Sequence, residues 1–394
     1  MSKLEELIEQ YCPDGVEYMK IGEVCKALPK GTLTTKELVE PNGHNYPVIN
    51  SGRELYGYYT HFNNEGDAFT VAARGEYAGF ITYFSGKFWA GGLCYPYRSY
   101  SPNISTKFIF YYLKTRQEYI RNTLVAEGSI PALNKGTLDL FEIPVPPLPV
   151  QEEIVRILDA FTELQAELQA ELQKRKQQYN YYRDNLLTNF TTEQNVKEYT
   201  LGELGTFTRG NGLQKKDFTK EGIGCIHYGQ IYTRFGAFAD KTLTYVNREL
   251  ASHLLQVEKG NLVIACTSEN VEDICKSVAW LGEENICTGG HACVFRHNQN
   301  PKYISYFFQT EYFFNQKKKY TYGTKVKDIK PDSIAKIKIP LPSLKEQERI
   351  VSILDNLYTL TTDLTQGLPA EIEKRRQQYE YYRDKLLTFK RKGA

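Results

Sequence analysis

The chain has 394 residues, 41% of them hydrophobic and 24% charged, enough for two or three domains with cores of their own. No apolar run approaches the roughly 20 residues that span a bilayer. The opening Met1-Ser2-Lys3-Leu4-Glu5-Glu6 lacks the layout of a signal peptide, so a cytoplasmic protein is expected. Lys and Arg (49) nearly balance Asp and Glu (47), which argues against a chain that grips nucleic acid unaided.

The first element is a short helix, with Ser2 and Glu5 spaced as a capping box. A turn at Tyr11–Gly15 follows, and then Tyr18-Met19-Lys20-Ile21-Gly22-Glu23-Val24. That segment is echoed by Glu198-Tyr199-Thr200-Leu201-Gly202-Glu203-Leu204, so a globular domain beginning near residue 17 is repeated from near residue 197. Further pairs keep the same order. Gly66–Gly75 resembles Gly260–Ser268, both read as turn then strand. Trp89-Ala90-Gly91-Gly92 matches Cys287-Thr288-Gly289-Gly290, and aromatic segments at Ser105–Leu124 and Pro301–Tyr320 read as single helices. Each domain closes with a loop, Glu127–Gly136 or Tyr322–Lys330, and a last strand. The stretches 25–60 and 207–248 diverge, as expected of one scaffold with two specificities.

The clearest duplication follows each domain. IPVPPLPVQEEIVRILDAFTEL at Ile143–Leu164 returns as IPLPSLKEQERIVSILDNLYTL at Ile339–Leu360, an offset of 196. KRKQQYNYYRDNLLT at Lys174–Thr188 returns as KRRQQYEYYRDKLLT at Lys374–Thr388, an offset of 200. An apolar stripe Ile154, Ile157, Phe161, Leu164, Leu168, Leu172, Arg175, Tyr179, Tyr182, Leu186 has heptad spacing with one stutter. The Glu-Leu-Gln-Ala run at Glu163–Gln173 is strongly helix-forming, whereas Gly367 and Pro369 interrupt the second copy. The fold class is α+β: two similar mixed α/β domains, each followed by a long helix, the helices packing as an antiparallel coiled coil. The expected boundaries are 1–16 for the helix and turn, 17–149 for the first domain and 150–195 for the central helix. The second domain takes 196–344, and a C-terminal helix broken near 366–369 takes 345–394.

Catalytic signatures are missing. There is no Gly-x-x-x-x-Gly-Lys-Ser/Thr loop, no His-Glu-x-x-His and no Gly-x-Ser-x-Gly. Asn300-Pro301-Lys302-Tyr303 reads as a helix start. The eight cysteines form no Cys-x-x-Cys pair and read as reduced, buried thiols, and His291 between Cys287 and Cys293 lacks a second ligand pair for zinc. The chain reads as a binding protein, one candidate being a scaffold or tandem ligand-binding protein assembled through its coiled coil.

The duplicated Gln-Glu-x-Ile-Val-x-Ile-Leu-Asp and Gln-Gln-Tyr-x-Tyr-Tyr-Arg-Asp-x-Leu-Leu motifs resemble the specificity subunit of type I restriction–modification systems, over the whole chain. The resemblance implies a non-catalytic subunit whose two target recognition domains read the halves of a bipartite double-stranded DNA site. It implies two methyltransferase subunits that methylate adenine with S-adenosylmethionine, and ATP- and Mg-dependent restriction/translocase subunits, with no cofactor in this chain. Base readout favours Arg, Lys and polar side chains on loops. The DNA-contact candidates are therefore Arg74, Lys87, Arg98, Ser129 and Lys135 in the first domain. In the second they are Arg209, Lys215, Lys216, Arg234, Lys325 and Lys327. Lys317-Lys318-Lys319 reads as a solvated helix end. Partner-binding candidates are Tyr179, Tyr182 and Arg183 with Tyr379, Tyr382 and Arg383, beside Tyr181 and Tyr381, because so many aromatics on one turn need cover.

Overall fold

The computed structural model describes residues 3–190, 196–362 and 367–393. Ser2 of the expected capping box, and Thr365 and Gln366 of the expected helix interruption, lie outside the described residues. The chain divides into two compact units, one of residues 1–168 with 372–394 and the other of residues 169–371. Each unit therefore takes one α/β domain, the start of one long helix and the end of the other.

In the first unit, strands Cys25–Ala27, Cys94–Ser99, Ala68–Ala72 and Ile81–Phe84 form an antiparallel sheet in that spatial order. A second sheet orders Gly57–Tyr59, Tyr46–Ile49 and Trp89–Ala90, the last two parallel. In the second unit Gly205–Arg209, Ala292–His297, Leu262–Ala265 and Ser277–Trp280 repeat the first order. Thr244–Val246, Ile223–Ile226 and Ile286–Thr288 repeat the second order, parallel pairing included. In both units the opening strand pairs with the last one, Glu17–Lys20 with Glu142–Val145 and Lys197–Thr200 with Lys338–Leu341. The extra strands of the second unit, Phe238–Ala239 and Leu255–Val257, lie in or just after its divergent stretch.

The aromatic segments are not single helices. Thr106–Thr115 begins under a Ser105 cap, and the chain then restarts as Gln117–Tyr119 and widens into a π-turn at Ile120–Leu124. The Gln117 side chain accepts the Ile81 backbone N–H at 3.0 Å, which draws this turn onto the sheet. In the second unit Asn300 caps Pro301–Phe307, the expected helix start. Thr310 then restarts the chain as Glu311–Lys317 by accepting the Phe313 N–H. A hydroxyl that competes for backbone donors ends one helix and caps the next.

The central helix is one element, Leu148–Thr188, and the later long helices are Leu344–Thr362 and Leu368–Leu386. In the first unit Phe161 lies 6.3 Å from Tyr379 and 5.7 Å from Tyr382, while Val150 and Ile154 share a core with Leu387. In the second, Tyr179 lies 6.0 Å from Tyr358 and Leu187 shares a core with Ile350. Within each unit the partner's number falls as the central helix rises, which is the antiparallel sense. The buried phase differs from the expected stripe by one residue at the ends. Leu158, Arg183 and Leu187 are buried, whereas Ile157 and Leu186 are half-buried and Tyr182 is exposed. A straight helix drifts about 20° per heptad from a strict seam, and its ends here face the domain cores rather than another helix alone.

Each long helix is fixed to its domain in the same way. Buried Gln151 accepts the Ser105 N–H at 2.8 Å and donates to the Asn103 and Pro146 carbonyls. Buried Gln347 accepts the Asn300 N–H at 3.0 Å and donates to the Pro342 carbonyl and Gln299 Oε1. Two turns later Asp159 binds Lys107 Nζ (2.8 Å) and Tyr111 OH (2.6 Å), and Asp355 binds Lys302 Nζ (2.6 Å) and Tyr306 OH (2.7 Å). The first unit is closed by residues 389–392. Val16 N–H donates to the Lys390 carbonyl, Lys392 N–H donates to the Val16 carbonyl, and Tyr18 OH donates to the Phe389 carbonyl.

Lys317 is a correction to the reading of 317–319 as a solvated end. It is 3% exposed, and its ammonium donates to the Glu272 and Ile274 carbonyls. Burial lowers its pKa. All eight cysteines are free and buried, and burial pushes Cys25, Cys94 and Cys287 up to about 12.

Replacing Gln347 with Ala orphans the Asn300 N–H and the Pro342 carbonyl. Loss of about 2–4 kcal/mol of stability is expected, at about 1–3 kcal/mol per stranded buried group. The exposed control Gln177→Ala should stay within about 0.5 kcal/mol of the parent. Denaturant unfolding of both variants compares the two directly.

Candidate nucleic-acid interface

The loop that precedes the last strand occupies equivalent places in the two units. In the first, the chain leaving strand Ala68–Ala72 bridges Arg74 to Ala132, and the Gly75 N–H donates to the Pro131 carbonyl at 2.9 Å. Loop 127–131 stands out from this seam with Ser129 exposed at its tip. In the second, the chain leaving Leu262–Ala265 continues as Thr267–Ser268, which pairs with Lys327–Asp328. The turn Gly323–Val326 projects from that pair and carries exposed Lys325. Gly323 is at φ +98°, where a Cβ would collide with the Val326 carbonyl oxygen, so the turn requires glycine.

The cationic candidates fall into two groups. Arg74, Lys215, Lys216, Arg234 and Lys325 present exposed charges, and among the described residues no salt bridge or hydrogen bond engages their side chains. The others have protein partners. Arg98 donates from Nε to the Asp67 carbonyl (2.5 Å) and from Nη2 to that of Glu65. Arg209 forks onto Asp328 at 3.1 and 2.7 Å and reaches the Gly290 carbonyl, tying its strand to the Lys327–Asp328 pair. Lys135 pairs with Asp139 at 2.6 Å, Lys87 stands 4.6 Å over the Phe62 ring, and Lys327 donates to the Gly323 carbonyl.

Sequence reasoning passed over Arg53, whose guanidinium lies 4.9 Å over Tyr77 beside the Arg74 loop. It also passed over His227, Gln230 and Thr233, which share a cleft of about 520 Å3 with Lys215 and Arg234. Nothing in the linear pattern joins residue 215 to 234. The fold of the divergent stretch brings them together.

The tyrosine clusters at the helix ends are divided by burial. Tyr179 is buried against Tyr358 and donates to Gln309 Oε1, and Arg183 is buried over its ring. Tyr379 is half-buried beside Phe161, and the half-buried Arg383 lies over the Tyr379 ring. Tyr181, Tyr182, Tyr381 and Tyr382 are exposed, paired edge-on within each cluster at 5.6 and 5.3 Å.

Among the described residues no group of His, Cys, Asp and Glu is placed to hold a metal ion, and no helix is long and apolar enough to cross a membrane. His291 Nδ1 instead lies 3.1 Å from Thr267 Oγ1.

The type I restriction modification DNA specificity domain model matches the chain twice, at residues 13–175 and 193–374. A putative type I restriction enzyme specificity subunit of Haemophilus influenzae is 30% identical over 98% of both chains. The EcoR124I/EcoR124II specificity subunit of Escherichia coli is 30% identical over 99% of this chain and 97% of its own. The fold is shared with the S subunit structure from M. genitalium (TM-score 0.55, 19% identity, covering 94% of this chain and 95% of that one). It is shared too with a chain from a structural study of type I R-M complex assembly (TM-score 0.60, 13% identity, covering 95% and 98%). Two domain matches, full-length relatives and a duplicated topology agree: the chain belongs to the type I restriction–modification specificity family, as a non-catalytic subunit that supplies sequence-specific DNA recognition within a restriction–modification complex.

Proposed function

We propose that each recognition domain reads one half of a bipartite DNA site, and that the subunit thereby directs adenine methylation by two methyltransferase subunits and cleavage by restriction/translocase subunits in the cytoplasm. S-adenosylmethionine, ATP and Mg then belong to those partners. The observation that carries this reading is the duplicated anchoring of two like domains with unlike loops, each to its own long helix. Unlike loops on like scaffolds suit two different half-sites. A near-neutral chain suits a reader whose partners supply much of the phosphate contact that dominates affinity.

The central helix of 41 residues is about 60 Å long at about 1.5 Å per residue. That exceeds the roughly 34–36 Å between successive major-groove faces, so helix length is the natural measure of the gap between half-sites. Deleting Glu167–Ala170 shortens the rod by about 6 Å and leaves the stripe nearly in phase. The gap should shrink by one or two base pairs with both half-sites unchanged. Adenine-methylome sequencing of a host carrying the deletion reads this, and an unchanged gap sinks the ruler idea.

Two substitutions separate contact from support. Lys216→Ala should weaken binding about equally across sequences and reduce the salt slope of affinity by about 1. Arg209→Ala should leave that slope alone and lower stability by about 1–2 kcal/mol, because it strips the forked guanidinium from the half-buried Asp328 carboxylate and leaves it the Tyr322 hydroxyl. Salt titrations and melting curves on the assembled complex distinguish them.

The exposed tyrosines are proposed as the methyltransferase surface, one cluster for each copy. Tyr182→Ala with Tyr382→Ala should lower co-purification of the methyltransferase several-fold while the specificity subunit stays folded by circular dichroism. Unimpaired assembly removes this role.

A further inference from the structure

The second unit's cleft lies between the turn Lys215–Asp217 and the helix Tyr228–Thr233. His227 stands at its floor, 7% exposed, as the cap of that helix. Its Nδ1 accepts the Gly229 backbone N–H at 3.2 Å. A ring nitrogen that accepts from a backbone N–H is unprotonated, so the neutral ring carries its proton on Nε2. Burial, with Lys215 and His291 nearby, lowers the pKa and keeps the ring in that neutral form. Phe218 edge-on at 5.7 Å and Tyr228 at 4.4 Å fix the ring plane.

Among the described residues the orphan polar side-chain atoms sealed from water are Trp89 Nε1 and His297 Nε2. His227 Nε2 makes no hydrogen bond among those residues either, but it is not sealed, and it belongs to a residue lining the cleft. Gln230, the residue type that suits adenine, is already engaged. Its Oε1 accepts the His227 backbone N–H at 3.0 Å and its Nε2 lies 3.3 Å from Thr244 Oγ1. The cleft is therefore a cationic rim, Lys215 and Arg234, around one free, oriented N–H donor. Residues 207–248 carry seven Lys or Arg against three Asp or Glu, which suits a polyanion approaching this face.

We propose that His227 is a specificity-determining residue: its Nε2–H donates to the N7/O6 acceptor edge of a purine in the major groove, while Lys215 and Arg234 take the flanking phosphates. This rests on the reading of the second domain as a DNA half-site reader. Purines present N7 at that edge and guanine adds O6; thymine O4 accepts there too but is flanked by the C5 methyl group, and cytosine presents only a donor.

The test uses the assembled methyltransferase complex. His227→Asn retains a helix-capping side chain, and its shorter amide ends well before the position of the ring Nε2–H, so the donor there is withdrawn. One position of one half-site should lose its purine preference, with discrimination falling on the order of 10- to 100-fold, as for one good base contact. The other half-site and the gap should not change. Independently of whether the variant folds, 7-deazapurine scanning of both half-sites with the unsubstituted complex should find a position that weakens on loss of N7. The His227→Asn complex should be indifferent to that same substitution. A methylation motif unchanged in the variant, or equal sensitivity of both complexes to every deaza position, overturns the role of His227. If the unsubstituted complex methylates no split site at all, the half-site reading itself has failed.

Discussion

The structure depends on two buried carboxamides, Gln151 and Gln347, and the Asp that follows each by two helical turns. A glutamine with no exposed surface must satisfy all its hydrogen-bonding capacity inside the protein. These two do so by closing the orphan N–H and C=O groups where the aromatic helix begins and the Pro-rich segment ends. The Asp–Lys–Tyr contacts then add a second fixed point, so the domain cannot pivot about the first. Two directional attachments eight residues apart convert a helix that merely touches a domain into one that orients it. Any distance encoded in the helix is transmitted only because these joints do not slip.

That arrangement was partly legible. The motif Gln-Glu-x-Ile-Val-x-Ile-Leu-Asp contains both anchors, and its recurrence at an offset of 196 marked it as essential. Its partners Lys107, Tyr111, Lys302 and Tyr306 lie about fifty residues upstream, and no periodicity ties them to it. The strand order, too, followed from the duplicated segments only as far as the segments were similar. The phase of the long helix was missed by one residue at its ends because a heptad count assumes a helical neighbour, whereas Leu158 and Leu187 face domain cores. The two aromatic helices were read as continuous because the competition of Thr310, and of the Gln117 side chain, is settled by tertiary contacts rather than by local propensity.

Candidate contacts were the least legible part. Charge type and loop position select Arg74 and Arg209 alike, yet one guanidinium faces solvent and the other is clasped by a carboxylate. Lys317 looked solvated inside a lysine run and is instead a buried strut beneath the Glu272–Ile274 loop. His227 carried no linear signal at all. Its interest comes from which nitrogen the local backbone occupies, a property visible only in three dimensions.

The clasp between Val16 and residues 390–392 also bears on the order of synthesis. The second unit is one continuous stretch, 169–371, so no part of it waits for a segment made after residue 371. The first unit has its domain made early, but its core includes Leu387, which follows the whole of the second unit in the chain. Until that segment arrives, Phe108, Ile154 and Leu158 lack part of their cover. The domain translated first is thus the one whose core is completed last, with its apolar face open throughout the making of the other.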